Sequence, residues 1–266
     1  SGRGAHLLRQ GGVNYIFRLA KVIHRHGLSM QRLNATYIDE EGSQTILVMA
    51  ILLHGSNGEA VWDVADSNDF LRELATIKYF DTIDLIDKKL VAPKIVSGNM
   101  ANLLRSMINF IHQALVNVDS HLYTIETIEA DLCRHPELTW QLCQAFEHKF
   151  HPHLVNLSRY EEVKQKFLSD LAQLDTGQES HDLRRKNVLA QGMNFIHHVL
   201  KTNFYRMNYT ALSFRLDPHY LDAIPFNRLE KFPQLPYAIF YVRGMHFFAF
   251  HIRFKDLARG GLRTVY

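Results

Sequence analysis

The hydrophobic period of this chain changes twice, and those changes constrain its fold more than any single motif. From about Lys94 to Arg206 apolar residues recur at helical spacing. "ANLLRSMINFIHQALV" puts Leu103, Leu104, Met107, Ile108, Ile111 and Leu115 along one stripe. "SHLYTIETIEADLCRHP" and "ELTWQLCQAFEHKFHP" continue the pattern and stop at Pro136 and Pro152, because proline lacks the donor a helix interior needs. "SRYEEVKQKFLSDLAQL" runs into the polar loop "DTGQESHD". Ser180 or Asp182 then caps a helix expected to run through Leu189, Met193, Ile196, Leu200 and Phe204. Helices of ordinary length on short connections predict a bundle-like region over 93–206.

On either side the period is different. Near the start, Ile16, Leu19, Ala20 and Ile23 mark an amphipathic helix ending at "HRHGL", with Gly27 as its C-cap. "RLNATYID" alternates, with Leu33, Ala35 and Tyr37 on one face, and "TILVMAILL" (Thr45 to Leu53) reads as a strand buried on both faces. "EEGSQ" between them is a hairpin loop. A second helix is predicted over Asn68 to Phe80, capped by Ser67, Asn68 or Asp69. With short strands at Ala5 to Arg9 and Asp84 to Val91, residues 1–92 follow the split βαβ, ferredoxin-like order, similar to small regulatory modules of the ACT type. A plain α+β sandwich that binds nothing is the alternative. After Arg206 come "YTALSFRLDP", "YAIFYVRG" and "MHFFAFHIRF", rich in β-branched and aromatic residues and read as strands, the last two as a hairpin. Lys255 to Tyr266 is expected to leave the sheet as a loop. The fold class is therefore α+β.

The 266 residues are 47% hydrophobic and 21% charged, enough for real cores. A net charge of +3 without a dense Lys/Arg tract argues against nucleic-acid binding. No apolar run reaches the ~18 residues a membrane span needs. The opening Ser1-Gly2-Arg3-Gly4 has no apolar core of a signal peptide, and two cysteines, Cys133 and Cys143, fit a reducing, cytoplasmic compartment.

Histidine is abundant, at 16 residues. His148, His151 and His153 lie close together, but the helix breaks at Pro152 and no H-E-x-x-H spacing occurs; a solvated helix end is the better reading, and no metal is expected. His24, His26, His197 and His198 read as helix-edge residues. There is no G-x-S-x-G, Walker loop or G-x-G-x-x-G. "QGGVN" sets Gly11, Gly12 and Asn14 before a helix, where backbone amides could meet an anion. In an ACT-like module this loop would hold an amino-acid effector. The closing "ARGGLR" places Arg259 and Arg263 around Gly260 and Gly261. Tandem glycines allow close backbone approach, and guanidinium forks match a carboxylate. A strand-exit turn with solvated arginines remains the other reading.

"FHIRFKDLARGGLRTVY" resembles the lysine-glycine-glycine-leucine-arginine segment of the glutamate dehydrogenases. Alanine-arginine before the glycine pair is similar to the large NAD-specific members, as is "ALSFRLDPHYL" (Ala211 to Leu221) upstream. The resemblance implies that residues 207–266 begin the substrate domain, with Arg259, Gly260, Gly261 and Arg263 at the carboxylate of glutamate or 2-oxoglutarate. Arg259 stands where compact members carry a lysine. It implies oxidative deamination of glutamate with NAD as hydride acceptor, in a homo-oligomer. The catalytic lysine, the catalytic aspartate and the dinucleotide-binding domain are not found here. The expectation is an N-terminal regulatory and structural fragment that binds no cofactor, carries no catalytic residue and is inactive alone. The alternative is an amino-acid-sensing or oligomerisation module without catalysis.

Overall fold

A computed structural model describes residues 15–39, 45–80, 84–207, 209–225, 234–244, 247–256 and 261–265. The chain divides into two compact units, Ser1–Asp81 and Thr82–Tyr266.

In the first unit residues 15–25 form helix α1. Gly27 ends it in the left-handed region (φ 72°), its amide bonded to the His24 carbonyl at 3.0 Å, as a C-cap glycine should. Strands β1 (Leu28–Asp39) and β2 (Thr45–Gly55) pair antiparallel. A short helix α2 (Val61–Val64) and helix α3 (Ser67–Phe80) come next. The α3 cap is Asp66, one residue before the three expected, whose carboxylate accepts from the Asp69 amide at 2.8 Å. Leu19, Val22 and Ile23 of α1 pack with Phe70 and Ile77 of α3 and with Met49, Ile51 and Leu53 of β2. Arg25 and His26 both engage Glu73, whose side chain is 5% exposed, tying α1 to α3.

Two expectations are corrected here. β2 is not buried on both faces: Val48 and Leu52 are 47% and 53% exposed, because helices cover only the face of Met49, Ile51 and Leu53. The segment Asp84 to Val91 is helical, ending in a π-turn over Asp87–Val91. Its start is fixed by carboxylates: Asp84 accepts from the Asp87 amide (2.9 Å), and Glu129 accepts from the amides of Leu85 (3.0 Å) and Ile86 (3.3 Å). The strand expected at Ala5 to Arg9 lies outside the described residues. Among the described residues the first unit shows helix, hairpin and helix, without the flanking strands of a ferredoxin-like order.

The second unit opens on that helical turn and continues with α4 (Gly98–Leu115), α5 (Ile125–Arg134), α6 (Pro136–Phe150), α7 (Leu157–Ala172) and α8 (Glu179–His198). Ser97, Thr124 and Asn156 cap α4, α5 and α7 with their side-chain oxygens. Asp182 does not cap α8 by leading it; from the first turn it reaches back to the Thr176 amide (2.7 Å) and hydroxyl (2.6 Å). α8 also stops earlier than expected, at His198, and passes directly into β3 (Val199–Thr202). Strands β4 (Leu212–Leu216), β5 (Ala238–Arg243), β6 (Phe248–Arg253) and β7 (Gly261–Val265) complete an antiparallel meander in chain order. One sheet face packs on helices. The Tyr241 hydroxyl donates to the Ser106 carbonyl of α4 at 2.8 Å, and Phe195 of α8 meets Phe214 edge-on at 5.1 Å.

Candidate functional site

The expected carboxylate-binding segment sits at one edge of this sheet. Residues 261–265 do not leave the sheet as a loop; they turn back and pair with β6, with Ile252 opposite Gly261, Phe250 opposite Arg263 and Phe248 opposite Val265. The β-rich sequence "GLRTV" adds a fifth antiparallel strand beside β6. Gly261 thus opens the strand. Arg259 and Gly260 lie outside the described residues. So do Gly11, Gly12 and Asn14 of the expected effector loop.

Register gives the backbone position of Arg263, opposite Phe250. Phe214, Tyr241 and Phe250 are directly opposed in one row and share a face. That row is the helix-facing side: Tyr241 stacks on Phe214 at 5.7 Å and on Phe250 at 4.8 Å, and is fully buried. Burial raises the Tyr241 pKa, so its hydroxyl stays a neutral donor. Gly261 falls in the row Leu216–Ile239–Ile252 on the same face. Leu262 is the backbone partner of His251, whose ring lies 6.0 Å from that of Phe240. On the approach to the connection, Arg253, Lys255 and Asp256 are exposed.

Register also brings in Arg243, which spacing did not single out. It ends β5 on the helix-facing side, in the row of Leu212 and Phe248, and burial lowers its pKa. Asp84 faces it, and the bidentate Asp84–Arg105 pair lies alongside (2.6 and 3.0 Å). The only sequence signal was an arginine before Gly244 in an otherwise apolar strand.

The other expected chemistry stays separate. Among the described residues no group of three His, Cys, Asp or Glu side chains could hold a metal. The Nδ1 of His151 accepts from the amides of His153 and Leu154, both at 3.2 Å, and so shapes the turn after α6. Cys133 and Cys143 are free. Burial pushes the Cys133 thiol up to about 12, which keeps it protonated and a poor nucleophile at neutral pH. No helix among the described residues is long and apolar enough to cross a membrane.

A match to a known family falls on this sheet. Residues 172–265, which take in α8 and every strand of the meander, match the family described as bacterial NAD-glutamate dehydrogenase, catalytic domain. The match is thus to a class of NAD-linked oxidoreductases. "Glutamate dehydrogenase 2" of Dictyostelium discoideum is 32% identical over 157 residues, 59% of this chain and 14% of that protein. The "NAD-specific glutamate dehydrogenase" of Saccharomyces cerevisiae is 49% identical over 67 residues, 25% of this chain and 6% of that protein. The "Probable NAD-specific glutamate dehydrogenase" of Schizosaccharomyces pombe is 42% identical over 79 residues, 30% of this chain and 7% of that protein. Over the matched residues the chain is similar to the NAD-specific glutamate dehydrogenases. It spans about a seventh or less of the length of these relatives.

Proposed function

We propose that this chain supplies part of the substrate-binding region of an NAD-dependent glutamate dehydrogenase. Glutamate, or 2-oxoglutarate in the reverse direction, would place one carboxylate against the β6–β7 connection. Arg259 and Arg263 supply guanidinium forks, and Gly260 and Gly261 let the backbone come close. The observation that carries this reading is the hairpin itself. Pairing from Gly261 to Val265 anchors the glycine pair to a sheet braced on α4 and α8, and a binding group on a braced strand keeps its geometry. A charged hydrogen bond of this kind contributes roughly 1.5–3 kcal/mol, enough to orient a substrate and far too little for catalysis.

The described residues of this chain do not fit NAD. The sequence has no G-x-G-x-x-G, and the described strands pair only antiparallel, whereas a dinucleotide site needs parallel βαβ units. The cofactor and the hydride step are therefore assigned to other parts of a protein as long as the relatives. On its own this chain would orient substrate and turn nothing over. The first unit is read as a regulatory module with Gly11, Gly12 and Asn14 as its effector loop, and the assembly as a cytoplasmic homo-oligomer. An amino-acid sensor without catalysis is the second reading, supported by the helix–hairpin–helix order of the first unit.

The test is NADH formation from glutamate, measured for the full-length protein and for these 266 residues alone. Turnover by the former and none by the latter is expected. Reduction of NAD with another substrate but not with glutamate would overturn the proposal. A melting shift with one amino acid, lost on Gly11→Val, would support the sensor.

A further inference from the structure

The C-terminal end of α8 carries a cluster of titratable groups that the substrate reading does not use. Lys149 of α6 donates from Nζ to the carbonyls of Ile196 (2.9 Å), His197 (2.6 Å) and Val199 (2.9 Å). These include acceptors a helix end leaves without a partner, where the helix dipole favours a cation. α7 reaches the same place through Tyr160 and Lys164. The Nδ1 of His197 lies 2.9 Å from the Tyr160 hydroxyl and 3.4 Å from Lys164 Nζ. An ammonium has three donors and no lone pair, so Lys164 donates and His197 Nδ1 must accept. With Nδ1 accepting, His197 is the neutral tautomer with its proton on Nε2. The neighbouring His198 is oriented the other way: its Nδ1 donates to the Asn194 carbonyl at 3.0 Å. The two rings stand nearly perpendicular, 4.8 Å between centroids.

We propose that His197 is a pH-sensitive catch between α7 and the α8–β3 junction, closed when neutral and released when a proton is taken up from solvent. The added proton goes to Nδ1. Tyr160 can turn its hydroxyl and accept, but Lys164 cannot, and two cations then face each other across the former contact. Every element packed here supplies a group that bears on this balance. α6 brings Lys149, α7 brings Lys164 and Glu161, α8 brings His198, and the turn after β4 brings Asp217 and His219 near His198. Among the described residues Glu161 is the carboxylate facing His197. It is already 3.6 Å from Lys164 and 53% exposed, so it offers a second cation little. Burial first, then Lys164, His198 and Lys149, hold His197 below the usual imidazole range, which keeps the catch closed at neutral pH. His198 is held down as well, chiefly by burial. Because α8 passes without a loop into β3, an edge strand of the sheet, release at His197 loosens the β3–β4 pairing rather than a free end.

The inference stands apart from the substrate reading and is tested on this chain by amide exchange, corrected for the intrinsic pH effect. Glutamine at 197 keeps an acceptor for Tyr160 and Lys164 but does not titrate. Between about pH 7.5 and about pH 5.5, where imidazoles change charge, exchange over 196–202 should quicken several-fold relative to β5. In His197→Gln the quickening should disappear, and in Lys164→Met it should shrink. Equal acceleration in the parent and in His197→Gln would overturn the proposal. Should either variant fail to fold, nitrogen NMR of the parent decides. An unprotonated His197 Nδ1 at neutral pH, titrating below the ordinary imidazole value, is expected; a protonated Nδ1 at neutral pH contradicts it.

Discussion

Asp131 shows what a single buried carboxylate does in this fold. Its side chain is 1% exposed, and both its oxygens accept from Arg184, at 2.8 Å each, with Arg185 Nε at 3.9 Å. Arg185 is itself nearly enclosed, and its Nη1 donates to Thr176 (2.7 Å) and Asp182 (2.9 Å). Asp131→Asn keeps the shape and removes the charge, leaving Arg184 short of one acceptor and both guanidinium groups without the carboxylate charge. The expected loss is about 3 kcal/mol of unfolding free energy, the lower end for breaking a buried pair, because Arg184 keeps some solvent contact. A urea melt should show the midpoint falling with an unchanged slope; an unmoved midpoint would contradict this account. Such a pair was not legible in the sequence, because its members lie 53 residues apart and charge alone does not choose a partner. The arginines around the glycine pair could be singled out, because that signal lies in adjacent residues.

At the scale of elements, helices α4 to α7 could be read directly, since proline, polar loops and a 3.6-residue period mark them locally. The end of α8 could not. Leu200 and Phe204 continue the helical spacing, yet the helix stops at His198 because Lys149 takes its last carbonyls and β4 pairs with residues 199–202. Lys149→Met keeps most of the apolar stem and deletes those three bonds. The loss should be about 2 kcal/mol, since hydrogen bonds to a charged group contribute roughly 1.5–3 kcal/mol and bonds from one ammonium are not additive. Burial and the adjacent Lys164 bring the Lys149 pKa down to about 8, while three carbonyl oxygens hold its proton at neutral pH. Fluorescence-detected urea unfolding of the variant at neutral pH checks the value; no loss would show that the ammonium is dispensable. The misread strand at 84–91 has the same origin as the misread end of α8. Its helical start depends on Glu129, more than forty residues away. β2 was misread because an apolar run does not say how many of its faces will be covered.

For the whole molecule, His112, His135, His197 and His198 all have pKa values lowered first by burial. A base whose folded pKa lies below its unfolded value, about 6.5, favours folding in its neutral form. Its contribution is complete above that value and is lost as pH falls through the folded pKa. Stability should therefore decline on acidification from about pH 7 into the range below 6.5, and calorimetric melting across that window should show it. A melting temperature that stays level there would contradict this sign. At the same scale, the α+β class and the family relationship were legible early, the first from the two changes of period and the second from "ALSFRLDP" and "ARGGLR". The return of the last segment into the sheet was not legible, because tandem glycines mark a turn equally well whether the chain then leaves or pairs.

The central claim is that a guanidinium on the β7 strand holds a substrate carboxylate, and the most direct measurement is the KM for glutamate of Arg263→Met in the full-length protein. Loss of one charged hydrogen bond of roughly 1.5–3 kcal/mol should raise KM about 10- to 100-fold, with the circular-dichroism melt of the variant unmoved. An unchanged KM and kcat in a folded variant would contradict the account.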